Sequence, residues 1–177
     1  MLKKILFTLL LFLVVSPSIA QIGSAKARII LNFKEQQSLV VTHSSVDLNL
    51  NRGEVYTQGA ETGVLKNHVI VKSSTPYELS VRTINPYFQY EMSLSSLPVS
   101  IIHIKPSINT STILDFPLRL STINLSDKPQ IILQSENRSN SQQIDVNYTI
   151  PKQNITSILN KKAGTYKTEI IYTLLPH

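Results

Sequence analysis

The sequence predicts an all-β protein built as an antiparallel sandwich, and three observations carry that expectation. Several stretches alternate apolar and polar residues at period two, the pattern of strands with one buried and one wet face. Turn residues recur at short intervals between those stretches. No segment sustains a helical stripe: the best candidate is ITSILNKK at 155–162, where Ile155, Ile158 and Leu159 lie three and four apart, a run of about two turns at most.

The first twenty residues have the three-part layout of a secretory signal peptide. Lys3 and Lys4 precede an apolar core from Ile5 to Val15, and the small-residue ending SPSIA puts Ser18 and Ala20 where a signal peptidase reads. That core is short against the roughly 20 apolar residues a membrane-spanning helix needs, and Pro17 follows it closely. Gln21 stands where a lipid-anchored protein would carry cysteine. The expectation is an exported chain, in a periplasm, on an outer surface or outside the cell, with no transmembrane segment after cleavage. Residues 21–177 have a length that suits a single sandwich domain.

The clearest strands follow in order. KNHVIVKSS places Val69 and Val71 on one face. PYELSVRT points Tyr77, Leu79 and Val81 one way and Glu78, Ser80 and Arg82 the other. QIDVNYTI sets Ile144, Val146, Tyr148 and Ile150 against Asp145, Asn147 and Thr149, and YKTEIIYTL aligns Tyr166, Thr168, Ile170, Tyr172 and Leu174. The less regular runs ARIILNF, SLVVT, VSIIHI and QIILQ suit strands covered on both faces, and VDLNL adds a short alternation through Val46, Leu48 and Leu50. The total is nine or ten strands. The stretch 84–118 is less regular, with prolines at 86, 98, 106 and 117, and reads as a long connection or as a seam between two lobes.

Charge and composition narrow the function classes. The chain has 17 Lys plus Arg against 11 Asp plus Glu, but the basic residues are spread along it. Nucleic-acid binding would require them clustered with stacking aromatics, so no nucleic-acid partner is expected. There is no cysteine, which removes disulfides, sulfur-ligated metals and cysteine nucleophiles together. The four histidines show no metal-ligand spacing, no GxSxG elbow is present, and Asp47, Glu54, Glu61, Glu78, Glu91 and Asp115 are isolated. The reading is a non-enzymatic protein with no cofactor, no metal site and no catalytic residue. An enzyme would require His43, His68 or His103 to meet a carboxylate in a cleft.

Two kinds of contact surface remain. Tyr87, Phe88 and Tyr90 in the proline-bounded INPYFQYEM could present an aromatic patch to a glycan or peptide, or could plug the core beneath a loop. Open sheet edges could take up a strand from a neighbouring chain, with Ala27, Ile29 and Leu31 of the N-terminal run and Ile171 of the last strand as contact residues. The expected partners are other surface or assembly proteins, or a second copy joined by strand addition.

The ending AGTYKTEIIYTLLP resembles the final hairpin strand of secreted bacterial immunoglobulin-like sandwiches, in particular WxL-type surface domains and fimbrial-subunit-like proteins. The matching residues are Ala163, Gly164, Thr165, Tyr166, Tyr172, Thr173 and Leu174. VIVKSSTPYELSVRT at 69–83 is similar to the central strand pair of the same sandwiches, with Ser73, Ser74 and Thr75 in the turn and Tyr77 at a core aromatic position. The resemblance implies an immunoglobulin-like sandwich outside the cytoplasm with a role in surface architecture or adhesion. The chain departs from it in having no tryptophan, which puts wall attachment of the WxL kind in doubt, and no cysteine pair.

Overall fold

The alternating stretches pair into antiparallel sheets. The computed structural model describes residues 28–32, 34–108 and 118–177; the leader at 1–20 and Ala27 lie outside these. Residues 34–177 form one compact unit, and the few described residues before it belong to another. Within 28–32 no strand forms, and Ile29, Ile30 and Leu31 are exposed.

The largest sheet has six strands. Five lie in the order β1 (Gln37–Val41), β3 (Leu65–Ser73), β11 (Ser139–Pro151), β7 (His103–Ser107) and β9 (Ile123–Asn124). The sixth, β2 (Gly59–Glu61), pairs with the far end of β11, Gly59 opposite Pro151. A second sheet runs β13 (Ile170–Pro176), β4 (Tyr77–Thr83), β10 (Gln130–Ser135) and β8 (Leu118–Leu120). A small third sheet joins β12 (Tyr166–Lys167), β5 (Tyr87–Tyr90) and β6 (Ser93–Pro98). Every pairing among the described residues is antiparallel.

The two larger sheets share one apolar core. Val69 and Val71 of β3 and Ile144, Val146, Tyr148 and Ile150 of β11 come from the first; Tyr77, Leu79 and Val81 of β4 and Ile132 and Leu133 of β10 come from the second. Those of β3, β4 and β11 are the residues that the period-two pattern put on single faces, whereas the adjacent Ile132 and Leu133 come from the irregular QIILQ run. Fully burying one such aliphatic or aromatic side chain is worth about 1.5–3 kcal/mol, so this set dominates the folding energy.

Ser80, expected on the wet face of β4, is buried as well, and two further breaks in the alternation have identifiable reasons. Asp145 is buried although its neighbours in β11 already fill the core face. Its carboxylate accepts from Lys66 Nζ at 2.7 Å and from the N–H of Asn67 at 2.8 Å. Asn67 sits at φ 52°, where β3 bulges: β3 advances from Leu65 to Val69 while β11 steps only from Val146 to Ile144. The carboxylate thus satisfies an N–H that the bulge takes out of the ladder. The second break is His68, buried beside Val69 because the same bulge re-aims its side chain.

Several sequence expectations shift. VDLNL forms no strand, though Val46, Leu48 and Leu50 pack against the core. The best helical candidate, 155–162, forms no α-helix: its first residues end a 3-10 turn, Lys152–Ser157, and the one α-helix among the described residues is the four-residue α1 (Val55–Gln58). YKTEIIYTL divides between two sheets, β12 and β13. The irregular 84–118 region supplies β5 and β6, a short 3-10 turn at Val99–Ile101, and β7.

Candidate functional site

A cleft of about 780 Å³ opens where β1 runs out. Residues 43–48 form one wall, and residues 165–172, which carry the chain from β12 into β13, form another. Asp47, Gln89, Lys167 and Glu169 line it alongside apolar groups, among them Val46, Phe88 and Ile171. Its floor holds His68, Tyr148 and Tyr172.

Those groups form a continuous polar chain. Thr42 stays tied to the sheet, its N–H donating to the His68 carbonyl at 2.9 Å and its hydroxyl to the Asn67 carbonyl at 3.0 Å. His43, exposed, lies next to it with Nδ1 2.9 Å from Thr42 Oγ1 and 3.3 Å from Nδ1 of His68. His68 Nε2 is 2.9 Å from the Tyr148 hydroxyl, which is 2.5 Å from the Tyr172 hydroxyl. His68 and Tyr148 belong to the six-stranded sheet and Tyr172 to the four-stranded one, so the chain crosses between the sheets.

Burial tunes these groups. The His68 imidazole is pushed down to about 4, first by desolvation and then by His43 beside it. Tyr148 is pushed up to about 12 by burial, and Tyr172 is raised by burial and by the Tyr148 phenol against it. At neutral pH the chain therefore holds a neutral imidazole and two intact phenols, and each hydroxyl can donate one bond and accept another. When His68 carries its proton on Nε2, the bonds run from His68 to Tyr148 to Tyr172; with the proton on Nδ1 they run in reverse.

The shift has a stability consequence. Folded His68 protonates near pH 4 and an unfolded histidine near 6.5, so the unfolded chain binds the extra proton between those values. Stability is complete above about pH 6.5 and falls as the pH is lowered toward 4, by about 1–3 kcal/mol from this group. Urea midpoints of the full chain, taken with a chelator across that window, should fall with acidity. His68→Phe should flatten the slope; an unchanged slope would assign it to other groups.

Of the contact residues singled out from the sequence, Phe88 and Ile171 line this cleft, and Tyr87 and Tyr90 do not. Tyr87 is exposed at 44%, whereas Phe88 is buried and contributes packing rather than contact surface. Tyr90 is half-buried, its ring 4.9 Å from that of Tyr166 and its hydroxyl donating to the Ala163 carbonyl. Ile29 and Leu31 are exposed at 84% and 71% and lie outside any strand. Ile171, opposite Arg82 on β13, is half-buried and faces the cleft.

Sequence spacing gave no sign that His43 and His68 meet, because strand pairing and a bulge bring them together. The legible part was the inward placement of Tyr148 and Tyr172. His103 stands elsewhere, its Nε2 3.4 Å from Asn154 Nδ2. Neither His43 nor His68 hydrogen-bonds a carboxylate, and among the described residues no three metal-ligating side chains of the His, Cys, Asp and Glu types converge. Compared with known proteins, the chain matches no family model and none of the curated proteins.

Proposed function

We propose that this chain is a non-enzymatic, exported surface protein, structural or adhesion-associated, that assembles through edge-strand contacts in the manner of a fimbria-like subunit or accessory. On this reading residues 1–20 are removed, residues 21–177 are the working domain, and the two larger sheets constitute an immunoglobulin-like sandwich. The observation that carries it is the coexistence of an apolar, unpaired arm with open sheet edges. Ile29, Ile30 and Leu31 are exposed at 84%, 70% and 71% outside any sheet. Among the described residues β1 and β13 each pair on one side only.

The open edge of β13 has a defined register. Thr83 donates its N–H to Ser126, away from β13, so the β4 residues that bond β13 are those of the other parity. The backbone groups of Ile170, Tyr172 and Leu174 consequently point outward, where an incoming strand would bond them. An arm reading Ile-Ile-Leu supplies the β-branched side chains such a strand favours.

Light scattering coupled to size-exclusion chromatography tests the reading. The chain lacking residues 1–20 should associate with rising concentration, and association should be lost on deleting residues 21–32 or in Ile29→Asp/Leu31→Asp. A monomer at all concentrations, or association indifferent to both changes, refutes assembly through the arm.

A second reading, a glycan- or peptide-binding module, is favoured by the exposure of Tyr87 at one end of the β5–β6 hairpin and of Met92 and Leu94, at 105% and 52%, toward the other. It rests on Tyr87 and Tyr90, because the Phe88 ring is enclosed.

A further inference from the structure

We infer that His43 and His68 form a paired-imidazole site for a divalent transition-metal ion of the zinc type, with its remaining coordination positions open to the cleft. The argument starts from the separation of the two facing nitrogens. At 3.3 Å the two Nδ1 atoms stand within reach of a long N–H···N hydrogen bond when no ion is bound. Two imidazole nitrogens each about 2.0–2.1 Å from one tetrahedral ion stand about 3.3 Å apart, which is the spacing observed. A square-planar ion would bring them to about 2.8 Å, and a linear one would hold them about 4 Å apart. The pair is spaced for tetrahedral coordination.

The surroundings of His68 are those of a metal ligand. A ligating histidine is held in place by a bond at its other ring nitrogen, which fixes both the tautomer and the ring plane. His68 Nε2 has that bond to the Tyr148 hydroxyl at 2.9 Å, and Tyr148 is held in turn by Tyr172. Donation from Nε2 leaves the Nδ1 lone pair free, aimed at His43. The His68 ring is 1% exposed and cannot turn away, while exposed His43 gives an ion access from solvent. Thr42 Oγ1, 2.9 Å from His43 Nδ1, is a neutral oxygen beside the same position.

Binding requires His43 to carry its proton on Nε2, which leaves the lone pairs of both Nδ1 atoms for the ion. With two protein nitrogens, the other positions fall to water or to a donor from whatever enters the cleft. The site is therefore one of moderate affinity, distinct in kind from a closed structural zinc centre. It is independent of the proposed assembly through the N-terminal arm.

The test is calorimetric titration of the full chain with zinc chloride at neutral pH, alongside thermal melts with zinc and with a chelator. One equivalent should bind saturably and raise the melting temperature. His43→Ala, an exposed position at which folding is not in question, should weaken binding at least tenfold. Tyr148→Phe should weaken it by about tenfold through lost orientation of His68, and a double variant at His103 and His177 should bind as the parent does. Absence of binding at millimolar zinc overturns the proposal, as does binding of equal strength in His43→Ala. Replacing zinc by cobalt(II) gives a second readout: strong visible absorption supports the tetrahedral site, and the weak spectrum of a six-coordinate ion overturns it.

Discussion

A chain truncated after Thr165 should fail to fold. β13 supplies the whole of one flank of β4, with register pairs running from Ile170 opposite Thr83 to Pro176 opposite Tyr77. β4 is among the most enclosed strands, and Tyr77, Leu79 and Val81 are essentially inaccessible to solvent. Removing β13 would uncover them and would withdraw Ile170, Tyr172 and Leu174, which pack against the same core. It would also strip the buried Tyr148 hydroxyl of its bond to Tyr172. Half-burial of three large side chains and the uncovering of three more is worth several kcal/mol at about 25 cal/mol per Å². Each lost ladder bond adds about 0.5–1.5 kcal/mol. The total matches the 5–15 kcal/mol by which a domain is typically stable. Circular dichroism melts of the truncated chain should show no cooperative transition, and a peptide spanning 166–177 should restore one. A truncated protein that melts cooperatively by itself would defeat the expectation.

Gly59→Ala should be the most damaging single methyl addition. Gly59 ends α1, its N–H donating to the Val55 carbonyl, and opens β2 against the end of β11. Its φ of 96° lies where a Cβ is strained, at a cost of about 1–3 kcal/mol. An added Cβ would also press into the carbonyl oxygen of Ile150 and stand 3.1 Å from the N of Lys152, backbone atoms at the end of β11 and the start of the 3-10 turn after it. Backbone cannot rotate aside as a side chain can, so β2 must separate from β11 or the chain must refold locally. We expect a loss of about 3 kcal/mol, read as a lower urea midpoint and a melting temperature about 6–12 °C lower. Gly53→Ala is the control, because a Cβ there meets nothing within 4 Å. Equal midpoints for the two variants would show that residues 55–61 do not depend on this close approach.

What the sequence made legible was the part of the fold that rests on parity. Leu79 and Val81, or Ile144 and Val146, declare a common face because a strand turns over at each residue, whatever it pairs with. Parity says nothing about which strand lies alongside which, and there the reading failed. VDLNL alternates as well as many strands do, yet it gains no ladder because its apolar residues can cover the core without one. The Ala27 to Phe33 run has strand-forming side chains, but Ile29–Leu31 belong to no sheet among the described residues. ITSILNKK has helical spacing over too short a span, and Pro151 starts a 3-10 turn just before it. The candidate site was invisible for the same reason: His43 and His68 meet only because β1 pairs with β3 and because Asn67 bulges.

The placement of β11 sets the order of events during folding. It is the thirteen-residue strand flanked by β3 and β2 on one edge and β7 on the other, yet it comes late in the chain. Contacts such as that between His68 and Tyr148 join residues 80 apart in sequence. The centre of the largest sheet therefore stays vacant until the chain has been made beyond residue 139. Closing loops of that length before any reward arrives slows the search, and the early strands spend the interval with bare edges. A chain of this topology should fold slowly and should benefit from being kept unfolded until it is complete.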